Sequence, residues 1–329
     1  MTPILIKNYR EATMLHKINR REMLATSFAL SWNPVALADA PGAIISGEVI
    51  GRDKMLTVLD GPEGRILAFD SSTYLENHAT QTNDIVVIGS YCGTRVLAPI
   101  FTRGVKGIIA TDAGIGKDEA GVSGLKHGET IGVPVASIGV MSAETSNGRQ
   151  TLLGRISRAN SQAQALGVFI GQNAWEAALL LTKAPQGKSI PTSPGVEEAP
   201  VVVEQTSNGR IWATPGSTAI KENISQDVFC SGANSSRVMS DGALRMNAKG
   251  AIANDAGIAR NNSAVEGVFI LGEKGVPAAS VSTLSARLGE GLSTWDHGII
   301  SVANETALRL GVKIGMSAQE AARIMVTKA

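Results

Sequence analysis

The chain is poor in the side chains that most often announce a chemistry. Of its 329 residues only two are Cys and four are His, and neither a CxxC nor an HExxH pattern occurs. A disulfide scaffold and a tight Cys/His metal motif are therefore excluded. Aromatic residues make up 4% and charged residues 18%, the latter below the usual quarter, so a core must be built mainly from Ala, Val, Ile and Leu. Thirty basic residues stand against 29 acidic ones, a balance that argues against nucleic acid as a partner. No apolar run is long and uninterrupted enough to cross a bilayer, so stable membrane insertion is not expected. No GxGxxG with a following acid occurs, and GIGKDEAG from Gly114 is not a phosphate loop, because Asp118 follows Lys117. These absences leave no cofactor in the reading. A metal has one route, the meeting of Asp112 with Asp255.

What is present is a folded composition, 43% hydrophobic with 36 Gly, enough to bury a large core. The most specific feature is an internal repeat. DIVVIGSYCGTR from Asp84 matches DVFCSGANSSR from Asp227, with Arg95 opposite Arg237 and no counterpart for Cys92. GVKGIIATDAGIGKDEAGVSG matches NAKGAIANDAGIARNNSAVEG, and the spacing of 143 residues holds from Asp112/Asp255 to Ser142/Ser285. Each unit is the size of a small domain rather than a solenoid repeat.

The expected organisation is a first α/β repeat over 54–184, a Pro/Gly-rich linker over 185–197, and a second repeat over 198–329. Apolar runs at Arg65–Asp70, Asp84–Ile88, Gly107–Thr111 and Val133–Ile138, with their partners in the second unit, read as strands. Helical spacing predicts helices over Ile156–Leu166, Ile300–Leu310, Ala174–Thr182 and Ala318–Val326. The last two carry capping-box patterns at Asn173/Glu176 and Ser317/Glu320. The fold class is α/β: two homologous domains related by a pseudo-twofold axis, each a layered sheet with covering helices. Duplication also leaves room for a homo-oligomer.

Before the first repeat, residues 1–38 place Arg20-Arg21 ahead of a modest apolar stretch and the small-residue site Ala36-Leu37-Ala38. This is the order of a secretory signal of twin-arginine type, and residues 39–53 form an extension. The expected location is the periplasm or the exterior if the signal operates, and the cytoplasm otherwise. Five basic and two acidic residues fall within 1–38, so removal would leave 25 basic against 27 acidic residues.

Chemistry is expected beyond the carboxyl ends of the strands. At Gly89–Arg95, Cys92 is the candidate nucleophile, with Ser90 and Arg95 as ligand contacts. At the repeated DAG turns, Asp112 is the candidate base, and Lys117, Asp255 and Arg260 are ligand-binding candidates, as is Arg237. His297 is the best imidazole for proton transfer. Together they point to a small-molecule hydrolase of an amide or related acyl bond. Two alternatives stand beside it: an exported binding protein for a small anionic ligand, and a structural or assembly protein. Amino-terminal sequencing of protein recovered from its source cell is expected to begin at Asp39, and an intact Met1 would overturn the cleavage.

Overall fold

The structure is a computed structural model describing residues 55–190 and 199–329. The signal-like segment 1–38, the extension 39–53 and part of the linker lie outside the described residues. Two six-stranded mixed sheets are present, each with its strands in sequential order. The first runs β1 (Met55–Gly61), β2 (Gly64–Phe69), β3 (Ile85–Tyr91), β4 (Gly107–Thr111), β5 (Val135–Ile138) and β6 (Ile156–Ala159). The second runs β7 (Val201–Thr206), β8 (Gly209–Thr214), β9 (Val228–Asn234), β10 (Gly250–Asn254), β11 (Ala278–Val281) and β12 (Ile300–Ala303). In each sheet the four central strands are parallel and both edge strands antiparallel. Parallel strands need covering on both faces.

The covering helices are α1 (Thr94–Thr102), α2 (Ser123–Ile131), α3 (Gly148–Leu153), α4 (Ser161–Ala165) and α5 (Ala174–Leu181) in the first half. Their counterparts are α6 (Arg237–Arg245), α7 (Glu266–Glu273), α8 (Gly291–His297), α9 (Glu305–Leu310) and α10 (Ala318–Lys328). In the second half, Met239, Ala243, Val268 and Leu271 bury one face of the sheet. Trp295, Ala321, Ala322 and Met325 bury the other. Small residues on α10 let the helix lie close to the sheet.

Three expectations are corrected. The periodic segments Ile156–Leu166 and Ile300–Leu310 are each a strand followed by a short helix, and a buried Asn causes the break. Asn160 Oδ1 accepts from Ala163 N, capping α4, and from Val135 N of the next strand, while its Nδ2 donates to Val133 O. Asn304 does the same with Ala307, Ala278 and Val276. A polar side chain that satisfies strand and helix together outweighs a helical apolar period. Second, only Ser317/Glu320 forms a complete capping box, whereas Asn173 accepts from Trp175 N. Third, the two halves align at 143 without a gap through the first junction: Cys92 N bonds Thr111 O as Ser235 N bonds Asn254 O. Cys92 therefore corresponds to Ser235, and Arg237 corresponds to Thr94 rather than Arg95.

Both sheets fall in one compact unit, joined through the turns that follow β4 and β10. Reciprocal bonds cross the joint. Lys117 N donates to Thr283 O at 2.8 Å and Arg260 N to Val140 O at 3.2 Å. The side chains repeat the pattern, Lys117 Nζ to Ser285 O and Arg260 to Ser142 O, each at 3.3 Å. Arg287 pairs with Asp118 at 3.0 Å, and in the mirrored place Asn261 donates to Glu144 at 2.8 Å. The exchange of Glu144 for Arg287 between repeats is thus matched by the exchange of Asn261 for Asp118. Alanines, with Tyr91, Val140 and Leu288, fill the space between.

The closest approach is backbone on backbone. A Cβ placed on Gly114, which has φ +72°, would lie 3.1 Å from Gly257 Cα. Gly114→Val combines left-handed strain with that collision and is expected to cost about 2–4 kcal/mol. Gly132 has φ +74° with nothing within 4 Å, so Gly132→Ala carries the strain alone, about 1 kcal/mol. Urea denaturation of both variants checks this; equal losses would show that the joint tolerates the side chain.

Candidate functional site

The two DAG turns owe their shape to a carboxylate. Asp112 Oδ1 accepts from Gly114 N at 3.0 Å and Val140 N at 2.9 Å. Asp255 Oδ1 accepts from Gly257 N at 3.1 Å and Thr283 N at 2.9 Å. Each acid thereby ties its own turn to the chain leaving the neighbouring strand. Four consecutive residues in each turn are left-handed, Ala113 to Gly116 and Ala256 to Ala259.

The remaining carboxylate oxygens are treated differently. Ser301 Oγ donates to Asp255 Oδ2 at 2.8 Å. Around it runs a chain of hydrogen bonds, Ser280 Oγ to Ser235 Oγ, Ser235 Oγ to Asn254 O and Asn254 Nδ2 to Ala286 O, although the Thr283 hydroxyl is buried without a partner. The equivalent groups in the first half are Ser157, Asp112, Ser137, Cys92 and Thr111. Ser157 Oγ donates to Ser137 O at 3.3 Å as Ser301 Oγ does to Ser280 O, but its second partner is Ser137 Oγ at 3.3 Å rather than the carboxylate. Thr111 is too short to make the bond of Asn254, and its hydroxyl is buried without a hydrogen-bond partner. Gly139 stands where the second half has Ser282. A Cβ built on Gly139 would lie 3.9 Å from Asp112 Oδ2, 3.8 Å from Ser157 Cβ and 4.0 Å from Ser142 Oγ. Space for a methyl-sized group thus lies beside a carboxylate oxygen that lacks its serine.

The other candidates are dispersed. Cys92 is fully buried among Leu97, Ile100 and Phe101. Burial pushes its thiol far above the ordinary range, and the nearby Asp112 charge adds to the rise. Cys230, also buried, is pushed up to about 12. Cys92 N bonds Thr111 O, one residue before Asp112, so the two lie on neighbouring strand ends, and burial holds the sulfur as a thiol. His297 is the exposed last residue of α8 in the other half, with no hydrogen bond or ion pair to Cys92 or Asp112 among the described residues. Ser90 Oγ accepts from Ser72 N. Arg95 runs beside Gly289, and Arg237 pairs with Glu266 at 2.6 Å. Lys117 and Arg260 direct their charges to carbonyls across the joint, and Asp255 is closed by Ser301. No group of three or more His, Cys, Asp or Glu is placed to hold a metal ion among the described residues. A polar cleft of about 500 Å³ lies at the opposite ends of the second sheet's strands, lined by Gln205–Arg210, Gln226, Asp227 and Lys249. It contains none of the candidates, and its charged groups are already engaged: Arg210 with Asp227, and Lys249 with Val326 O.

Sequence reasoning passed over Thr111, Ser137, Gly139 and Ser157. The signal was available in the register itself, since each faces a residue of different hydrogen-bonding capacity or the same serine in a different network.

The buried thiols have a consequence for stability. Above about pH 8.5 an exposed thiol ionises, so the unfolded chain releases a proton that the folded chain keeps. Stability falls with rising pH in that range, by about 1.4 kcal/mol per pH unit for each such thiol. Cys92→Ala is expected to remove one thiol's share of that slope, and iodoacetamide to label Cys92 only after unfolding. An unchanged slope, or labelling of the folded protein, would contradict the burial.

The chain matches no protein-family model, no curated protein and no solved structure. Its site is defined by its own geometry and by the contrast between its two halves.

Proposed function

We propose that the protein binds a small polar molecule at the strand ends of its first half, where the ligand donates a hydrogen bond to Asp112 Oδ2. The observation that carries this is the difference between two otherwise matched carboxylates. Both Ser301 and the equivalent Ser157 reach the carbonyl of the facing serine, but Ser301 also donates to Asp255 Oδ2, whereas Ser157 pairs with Ser137 Oγ. The groups around Gly139 are rich in acceptors, which favours an amide, an amine or a hydroxyl compound over an anion. The cations that would suit an anion are engaged: Lys117 and Arg260 with carbonyls, Arg237 with Glu266.

Hydrolysis of an amide or related acyl bond is the second reading, favoured by the adjacency of Cys92 and Asp112. In that reaction Asp112 would take the proton of the attacking group. The raised thiol of Cys92 weighs against sulfur as the nucleophile. Export remains part of the proposal through residues 1–38 alone.

Titration calorimetry against a panel of small amides, amines and polyols is the direct test, with product analysis by mass spectrometry on every binder. A hydrogen bond to a charged acceptor contributes about 1.5–3 kcal/mol, so Asp112→Asn is expected to weaken binding roughly 10- to 100-fold. Asp255→Asn should leave affinity within a factor of two. Equal losses in both variants would defeat the assignment to the first half. Turnover abolished by Cys92→Ser would favour the hydrolase.

A further inference from the structure

The candidate site lies at one end of the sheets, and that end carries a second feature that does not depend on a ligand. Six large apolar side chains there are 41% to 74% exposed: Met141, Phe169, Ile170, Leu284, Ile299 and Ile314. Their placement is systematic. Met141 and Leu284 occupy matched positions in the two halves, as do Ile170 and Ile314. Single exposed apolar residues are ordinary, but a cluster repeated at equivalent places is not.

Their neighbours show that they form one face. Met141 follows Val140, whose carbonyl accepts from Arg260 N, and Leu284 follows Thr283, whose carbonyl accepts from Lys117 N. Both side chains therefore flank the joint. From Leu284 the strip passes outward through Ile299, whose carbonyl accepts from Ser282 N and whose amide donates to Ser285 Oγ. Ile299 also bridges to Ser317, which closes the turn carrying Ile314. In the first half Arg155 holds the same place between the turns, bonded to Gly139 and Ser142 and bridged to Asn173. The face thus runs from Ile170 across the joint to Ile314.

We propose that this face is the contact surface of a homodimer, its occupant a second copy of the chain. Two observations choose that occupant. An isologous contact sets one patch against the same patch of a second copy. The apolar residues Met141 and Leu284, with Ile170 and Ile314, give such a patch on both sides of the joint, although Lys313 and Arg155 stand opposite Phe169 and Ile299. Its extent is also of the right order. At roughly 150–200 Å² for a large side chain, the exposed fractions amount to about 600 Å², against about 800 Å² given by each partner in a standard interface. The face also continues outward from the joint, so the core that unites the halves extends into the contact between copies. The duplication of the face argues against a purely ligand-lining role, because it persists in the half whose carboxylate is closed.

Sedimentation equilibrium of the full chain tests this, with Met141→Lys and Leu284→Lys combined in one variant. Both positions are exposed, so folding should be preserved, and a circular dichroism melt checks it. The expected result is a dimer for the parent protein at micromolar concentration and at least a tenfold weaker association for the variant. A parent protein that stays monomeric at high micromolar concentration overturns the proposal. So does a dimer that the two lysines leave unchanged. Co-sedimentation of a monomeric parent with phosphatidylcholine/phosphatidylglycerol vesicles, lost in the variant, would assign the face to a lipid surface instead. Ligand affinity measured in parallel separates this result from the Asp112 site, since the dimer can fail while that site binds.

Discussion

One carboxylate oxygen in each half governs the architecture: Oδ1 of Asp112 and of Asp255, shared between a turn amide and the first amide beyond the neighbouring strand. Left-handed backbone costs about 1–2 kcal/mol for each residue with a side chain, and Ala113, Ile115, Ala256, Ile258 and Ala259 all adopt it. Hydrogen bonds to a charged acceptor, each contributing about 1.5–3 kcal/mol, offset that cost. The turns so held project Gly114 and Gly257 toward each other and place Lys117 and Arg260 to bond across. The acid that reads in sequence as a catalytic candidate is first of all the reason the two sheets meet.

Because the same oxygen is committed in both copies, divergence is confined to the other oxygen and to the strand ends around it. The second half carries a continuous chain of hydrogen bonds through Ser280, Ser235 and Asn254, with Ser301 on Asp255, while the Thr283 hydroxyl beside it is buried without a partner. Such networks rigidify a core when every member is satisfied. The first half keeps the scaffold but breaks the chain of bonds at two substitutions, Cys for Ser235 and Thr for Asn254, and opens space with Gly for Ser282. A buried hydroxyl without a partner is uncommon in a native core and asks for an explanation. Thr111 has one in the loss of the longer Asn side chain.

The sequence made the duplication, the sheet strands and the DAG turns legible because each has a linear signature: a constant spacing, an apolar run, a glycine after an acid. It misread Ile156–Leu166 because Asn160 acts through partners 25 and 27 residues away in Val135 and Val133, which no local period reveals. It placed a gap in the first junction because matching arginines outweighed matching strand ends. Lys117 and Arg260 stand in register in the two repeats and read as ligand-binding residues. Their joint role was hidden because an anion site and a clamp on carbonyls require the same residue types. The candidate site itself was half legible. Asp112 stood out, but the serines that distinguish it from Asp255 are ordinary in sequence and acquire meaning only from the direction in which they point.

The polar site and the apolar face share one end of the molecule for a structural reason. Parallel strands all deliver their carboxyl ends to the same side, so the loops that shape Asp112 also carry Met141 and Arg155. A carboxylate in that setting is sensitive to whatever lies over it. Water above the site competes for Oδ2 and screens its charge, while a protein surface above it removes both effects and strengthens a ligand's hydrogen bond. Association through the face would therefore act on the first half's carboxylate and leave the second, already closed by Ser301, unaffected. That asymmetry couples the two proposals in one direction. If both proposals hold, the dimer would need no ligand, whereas the ligand site would gain affinity when the face is covered.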